Sequence, residues 1–542
     1  MMTKRLLAFC MVFVCLAVTN VFAGASYRDH QQLTQKLRGL ADKHPDLISL
    51  QTLGKTVGGK DIWLLSIGAG DITKKPAIAM VGGVSGDHLL GTEIALGFAE
   101  RLALGVGQQD VRALLDSVTF YIVPDVSPDA RAQFFAPLRY ERFGNANPSD
   151  LDRDGRIGED PYDDLNGDGL ITLMRIKDPT GKWIKHPDDE RVMVKANMEK
   201  GERGQYLVFS EGVDNDKDGQ FNEDGEEGIF FNKNFTFDYP VFDRGAGEHP
   251  VSEIETRAIA DFLFGAKNVF AVVSFGPANN LTHPLSFSER NASGRIITGW
   301  LEHDATINRM VSHTYHMHVQ SKGSSAVSGS PGDFFQWAYF HYGRFSFSTP
   351  GWWVPPAGDD GKPAENAEVN FLRWAEKENI PDVFVPWTRV DHPDFPGQEA
   401  EVGGIAPFVM KNPPEQIIAG IADNHYGFLM HLAAMRPRLD IVNVKTEQLG
   451  RNLFRISVDI ANTGAMPATS QLGQRVRWVQ KPVVRLELDR RQELISGRTI
   501  DIIQELQGHS STERSWLVRG GGTVTLRAGS ESAGFKQIEI KL

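Results

Sequence analysis

Ala77-Ile78-Ala79-Met80-Val81-Gly82-Gly83-Val84-Ser85-Gly86-Asp87-His88 is an apolar run that passes through two glycines into polar residues. A short apolar run bounded by turn residues reads as a buried strand, and the helical spacing from about 91 to 104 makes it a strand, a turn and a helix. Ligands of sheets built from such units gather beyond the strand ends. Ser85, Asp87 and His88 stand at that place.

Working outward, residues 27–44 have helical apolar spacing, and 60–67, 118–123, 269–275 and 344–348 read as further strands. Helical patterns cover 253–263, 367–376 and 414–435, after which Pro437 marks a break. The alternation predicts an α/β fold with a mixed sheet flanked by helices. Beyond the break, 438–444, 453–461, 483–488 and 523–527 alternate apolar and polar residues between glycine-rich turns. That pattern predicts a C-terminal β-sandwich of about 100 residues. The expected organisation is a leader over 1–23, an α/β domain over 24–436 and the sandwich over 437–542.

The leader rests on Lys4 and Arg5, the apolar residues 6–18 and Val21-Phe22-Ala23 before Gly24, the layout of a secretory signal. The apolar run is shorter than the roughly 20 residues of a spanning helix, so a secreted or periplasmic protein with no transmembrane segment after signal removal is expected. Both cysteines, Cys10 and Cys15, fall inside that leader. A metal site in the mature chain would therefore draw on histidine or oxygen ligands. With pI ≈ 5.7 and no basic stretch, nucleic acid is excluded as a partner.

The chain's net charge of −12 is concentrated. Residues 146–227 hold 22 Asp and Glu against 11 Lys and Arg, a local balance of −11. Within this insertion one pattern occurs three times: Asp150-x-Asp152-x-Asp154-Gly155, Asp164-x-Asn166-x-Asp168-Gly169 and Asp214-x-Asp216-x-Asp218-Gly219. Alternate oxygen side chains before a glycine turn suit calcium, which takes six to eight oxygens at roughly 2.3–2.6 Å. The flanks are not paired helices and no Glu stands at loop position twelve, so the loops resemble those of dockerin or thrombospondin repeats rather than EF-hands. Calcium is the expected cofactor, with a structural role in an insertion that shows no strand or helix pattern of its own.

Five further segments carry a resemblance. Leu53-Gly54-Lys55-Thr56-Val57-Gly58-Gly59-Lys60 resembles a "G-x-S-x-E-G-R" strand entry, and Val81-Gly82-Gly83-Val84-Ser85-Gly86-Asp87-His88 resembles "G-G-I-H-G-N-E". Val126-Ser127-Pro128-Asp129-Ala130 is similar to an "N-P-D-G" turn, Asn232-Lys233-Asn234-Phe235 to "N-R-N-F", and Ser252-Glu253-Ile254-Glu255-Thr256-Arg257-Ala258 to "S-E-P-E-T-R-A". In order and spacing these resemble the zinc carboxypeptidases of the carboxypeptidase A and B type, over about 26–434 apart from the insertion.

The resemblance implies a zinc held by two His and one Glu, with a Glu as general base. The matching positions hold Ser85 and His88 for the "H-x-x-E" pair, Gly276 or Pro277 for the second His, and Pro350 for the base. Asn232 and Lys233 match a pair that grips a substrate carboxylate, with lysine binding as a point charge where a bidentate arginine is expected. No catalytic set can be assigned. A non-catalytic binder of a peptide or cell-envelope ligand is one reading. The other is a divergent metallocarboxypeptidase that rebuilds a zinc site from His88, Asp87 and His283, with Glu93 a poorer carboxylate because of its spacing. Trp352 and Trp353 would either stack a ligand or fill the vacated cavity, and His313, His316 and His318 read as surface or capping residues.

Overall fold

A computed structural model describes residues 27–542 except 151–154, 223–227 and 359–360. The expected leader, with Cys10 and Cys15, lies outside the described residues, as do Asp152 and Asp154. The central sheet has six strands in the order Ile48–Lys55, Asp61–Ile67, Thr119–Val123, Ala77–Val81, Val269–Phe275 and Phe345–Thr349. The first two pairings are antiparallel and the last three parallel. The mixed α/β sheet expected from the sequence is therefore present, and Val81, Val123, Phe275 and Thr349 end along one edge of it.

Side chains of a strand alternate between faces, and this sheet is buried on both. Ile78, Met80, Phe120, Ile122, Phe345 and Phe347 enter one core with helices Leu90–Gly105 and Glu415–Ala434. Ala77, Ala79, Val81, Tyr121 and Val123 enter the opposite core with helices Ile254–Gly265 and Phe334–Phe340. The apolar run at 77–81 thus serves both faces, which is why it shows no alternation in the sequence.

The insertion departs from expectation. It supplies four strands, Leu173–Lys177, Trp183–His186, Asp189–Lys195 and Tyr206–Ser210. These join the hairpin strands Phe384–Val390 and Ala400–Ile405, about 200 residues later in the chain, in a second six-stranded sheet. The sequence reading finds no strand there because charged residues interrupt the apolar alternation. Arg175, 4% exposed, is nevertheless buried against Trp387 at 4.1 Å and paired with Glu401 at 2.7 Å.

The C-terminal region forms two four-stranded sheets that enclose a shared core including Ile456, Trp516, Leu486 and Leu526. Its long loop over 463–482 leans on the α/β unit. Asp304, fully buried, accepts from the backbone N–H groups of Gln471 (2.8 Å) and Leu472 (3.0 Å) and from the Tyr339 hydroxyl (2.8 Å). Trp478 stacks on Tyr342 at 4.9 Å. No helix among the described residues is long and apolar enough to cross a membrane.

Candidate functional site

The edge where the parallel strands end gathers Ser85, Asp125, Gly276 and Pro350. Ser85 donates its hydroxyl to Asp87, and the other oxygen of Asp87 accepts from the Lys411 ammonium. Lys411 also donates to Glu141 at 2.7 Å and lies 5.3 Å from the Phe143 ring centre. Burial opposes ionisation of Asp87, but His88, the Lys411 ammonium and the hydrogen bonds from Lys411 and Ser85 outweigh it and hold the carboxyl below its usual range. Burial pushes the His88 imidazole down from its usual value, against the Asp87 carboxylate, which raises it. Burial lowers and the two carboxylates raise the Lys411 ammonium, with the carboxylates prevailing.

Asp87 does not cap the helix that follows. That role falls to Asn412, whose side-chain oxygen accepts from the N–H groups of Leu89 (2.8 Å) and Leu90 (3.3 Å), while its amide donates to the Asp87 carbonyl (2.8 Å). Glu93 is also committed elsewhere: 2% exposed, it bridges Arg28 and Arg131, the latter at 2.7 Å.

At Gly276 an added Cβ would come within 2.3 Å of Val84 Cγ2, so the turn has no room for a side chain without moving Val84. Beneath Pro350, Thr349 contacts the Tyr315 hydroxyl (3.1 Å), which contacts His425 Nε2 (3.1 Å). His425 Nδ1 donates to the Ile421 carbonyl (2.8 Å), so Tyr315 is the donor to Nε2. Burial pushes His425 down to about 4, and the chain of hydroxyls ends in a neutral imidazole. The sequence reading missed Lys411, Glu141, Tyr315 and His425, which carry no local motif.

The residues of the alternative, rebuilt zinc site, His88, Asp87 and His283, do not form a group of ligand atoms close enough to share an ion. His283 turns Nε2 toward the Ser324 carbonyl (3.2 Å) and hydroxyl (3.1 Å). Among the described residues, the group of three His, Cys, Asp or Glu ligand atoms close enough to share an ion is Asp214, Asp216 and Asp218, whose oxygens lie within 4.8 Å of one another. The expected anion grip is used internally, since Lys233 pairs with Asp243 at 2.9 Å and Asn232 accepts from the Phe334 N–H at 3.1 Å. Trp352 is 8% exposed against Trp374, a filler of the core, whereas Trp353 is half-buried with its indole N–H on the Lys322 carbonyl at 3.0 Å. His316 bonds the Thr282 carbonyl (3.1 Å), and His318 faces His431 (3.4 Å).

Lys411 and Glu141 open into a cleft of about 560 Å³ against the second sheet, walled also by Tyr162, Glu368 and Trp387. The Glu368 carboxyl has no hydrogen-bond or ion-pair partner among the described residues, and burial pushes it up.

A family model described as zinc carboxypeptidase matches residues 33–351. The chain belongs to the zinc carboxypeptidase family. A second family model, described as a domain of unknown function, matches residues 438–541. Carboxypeptidase D of Mus musculus is 34% identical over 134 residues, covering 24% of this chain and 10% of that protein. Carboxypeptidase M of Mus musculus is 24% identical over 199 residues, 36% of this chain and 43% of that protein. The chain thus spans about a tenth of the first relative and under half of the second. The crystal structure of carboxypeptidase A from Helicoverpa armigera aligns at TM-score 0.36 and 14% identity over 60% of this chain and 64% of that one.

The family implies zinc, and the donors at this edge do not fit it. A zinc site needs at least three protein ligands. Here one imidazole stands beside a carboxylate already bound to an ammonium, and Gly276 offers no side chain.

Proposed function

We propose that this zinc carboxypeptidase family member is a secreted or periplasmic, non-catalytic protein that binds a peptide or cell-envelope ligand in the cleft beside Lys411, with calcium in its acidic loops. The observation that carries the reading is the Lys411 ammonium seated on Asp87 and Glu141, a fixed positive charge beside Ser85 and His88, the positions that match the family's first zinc-ligand pair. A protonated lysine polarises nothing as a Lewis acid and generates no hydroxide. The missing arginine and the paired Lys233 leave no free cation at the "N-R-N-F" position to hold a C-terminal carboxylate.

The test is elemental analysis of the purified mature chain with a carboxypeptidase assay in added zinc. Calcium without zinc, and no release of C-terminal residues, is expected. Stoichiometric zinc with chelator-sensitive hydrolysis refutes the reading and returns attention to His88, Asp87 and His283.

A further inference from the structure

We propose that the loop over 214–219 binds a calcium ion through Asp214, Asp216 and Asp218, and that this ion sets the position of the hairpin that walls the ligand cleft. The inference rests on the calcium reading above and extends it to control of the cleft.

Three carboxylate oxygens within 4.8 Å repel one another unless a cation lies between them. No lysine or arginine among the described residues pairs with any of the three. Lys217, inside the loop, turns away: its ammonium donates to the Asp214 main-chain carbonyl and to Asp394. A second observation concerns the buried member of the three. Asp214 is 9% exposed, and while its Oδ2 accepts from the Gly219 N–H at 3.1 Å, its Oδ1 is buried with no hydrogen-bond partner among the described residues, although a buried carboxyl oxygen without a partner is costly. The donors are all oxygen on a turning loop, which suits calcium rather than zinc or copper.

The loop is tied directly to the hairpin Phe384–Val390 and Ala400–Ile405. Asp394, in the hairpin connection, accepts from the Asp214 N–H at 3.0 Å, and His392 contacts the Gly212 carbonyl at 2.8 Å. Phe395 stacks near Phe209 (5.9 Å) and Phe221 (6.2 Å) on the two sides of the loop. From behind, the buried Asp160 accepts from Asn215 (2.9 Å) and from the Asn222 N–H, holding both shoulders of the loop. The same hairpin presents Trp387, Gly404 and Ile405 to the cleft. An ion that pulls Asp214, Asp216 and Asp218 together fixes the Asp214 N–H that Asp394 receives, and through it the connection over 391–399. Without the ion, carboxylate repulsion opens the loop and loosens that connection.

The experiment uses the full mature chain after chelation, titrated with calcium chloride by calorimetry and followed by hydrogen exchange, alongside Asp216→Asn and the exposed Asp218→Asn. The parent takes up calcium, and each variant loses one site or weakens it on the order of tenfold or more as ligand charge falls. Calcium slows exchange over 384–399 in the parent and not in the variants. Variants that titrate like the parent overturn the site. Loss of a site with no calcium-dependent protection at 384–399 overturns control of the cleft while leaving calcium binding intact. No calcium uptake by the parent removes both.

Discussion

Replacing Lys411 by methionine keeps the aliphatic stem and deletes the charge that Asp87 and Glu141 share. Removing one partner of a fully buried ion pair costs about 3–5 kcal/mol. Asp87 has a side-chain exposure of 3%, but Lys411 is 38% exposed and Glu141 28%, so solvent screening discounts the cost to about 2 kcal/mol at pH 7. The pH dependence is the sharper signature. In the parent the Asp87 carboxyl is held below its unfolded value, so its contribution is present above about pH 3.9 and is lost as pH falls through the folded value. In Lys411→Met the ammonium's charge and hydrogen bond are gone while His88 and the Ser85 hydroxyl remain, so burial is opposed less and the folded value rises from that of the parent. The variant therefore recovers relative stability as acid protonates Asp87, and the gap narrows to below about 1 kcal/mol near pH 4. Urea unfolding of parent and variant at both pH values measures it. A gap under about 0.5 kcal/mol at pH 7, or one unchanged at pH 4, refutes the ion pair as the organiser of this edge.

Three other outcomes follow from the geometry. Glu255 is pushed up to about 7 by burial, so folded protein binds a proton that unfolded chain has lost between about pH 4.5 and 7, and stability falls as pH rises through that window. Glu255→Gln gains about 2 kcal/mol at pH 8 and nothing at pH 4.5, read from unfolding midpoints. Asp304→Ala strands the Tyr339 hydroxyl and two backbone N–H groups, costs about 3 kcal/mol and exposes the loop over 463–482 to limited proteolysis. Gly276→Ala forces Val84 to move and lowers stability by about 1–3 kcal/mol, and a variant that melts with the parent refutes the close approach.

Much of the α/β unit was legible because burial writes itself locally. The helix expected over 367–376 is Ala367–Glu378, started by Asn366 accepting from Glu368 and Val369, and the strand expected over 344–348 is Phe345–Thr349. The second sheet was not legible. Its strands carry buried charges such as Arg175, whose pairing with Glu401 lies 226 residues away. The tryptophans divide for a related reason, since nothing local distinguishes Trp352, packed on Trp374, from the half-buried Trp353.

By itself, the sequence determined the buried strand and turn at 77–88, the order of landmarks that marks the family, and the three acidic loops. These depend on residue types at short, regular spacings, which backbone geometry converts into structure without reference to distant chain. Only tertiary structure decided what fills the strand ends. Lys411 reaches Asp87 across 324 residues, and Asn412 supplies a helix cap across 323. A charge or a cap can come from any part of the chain that the fold brings within hydrogen-bond distance, and no sequence period records which one arrives.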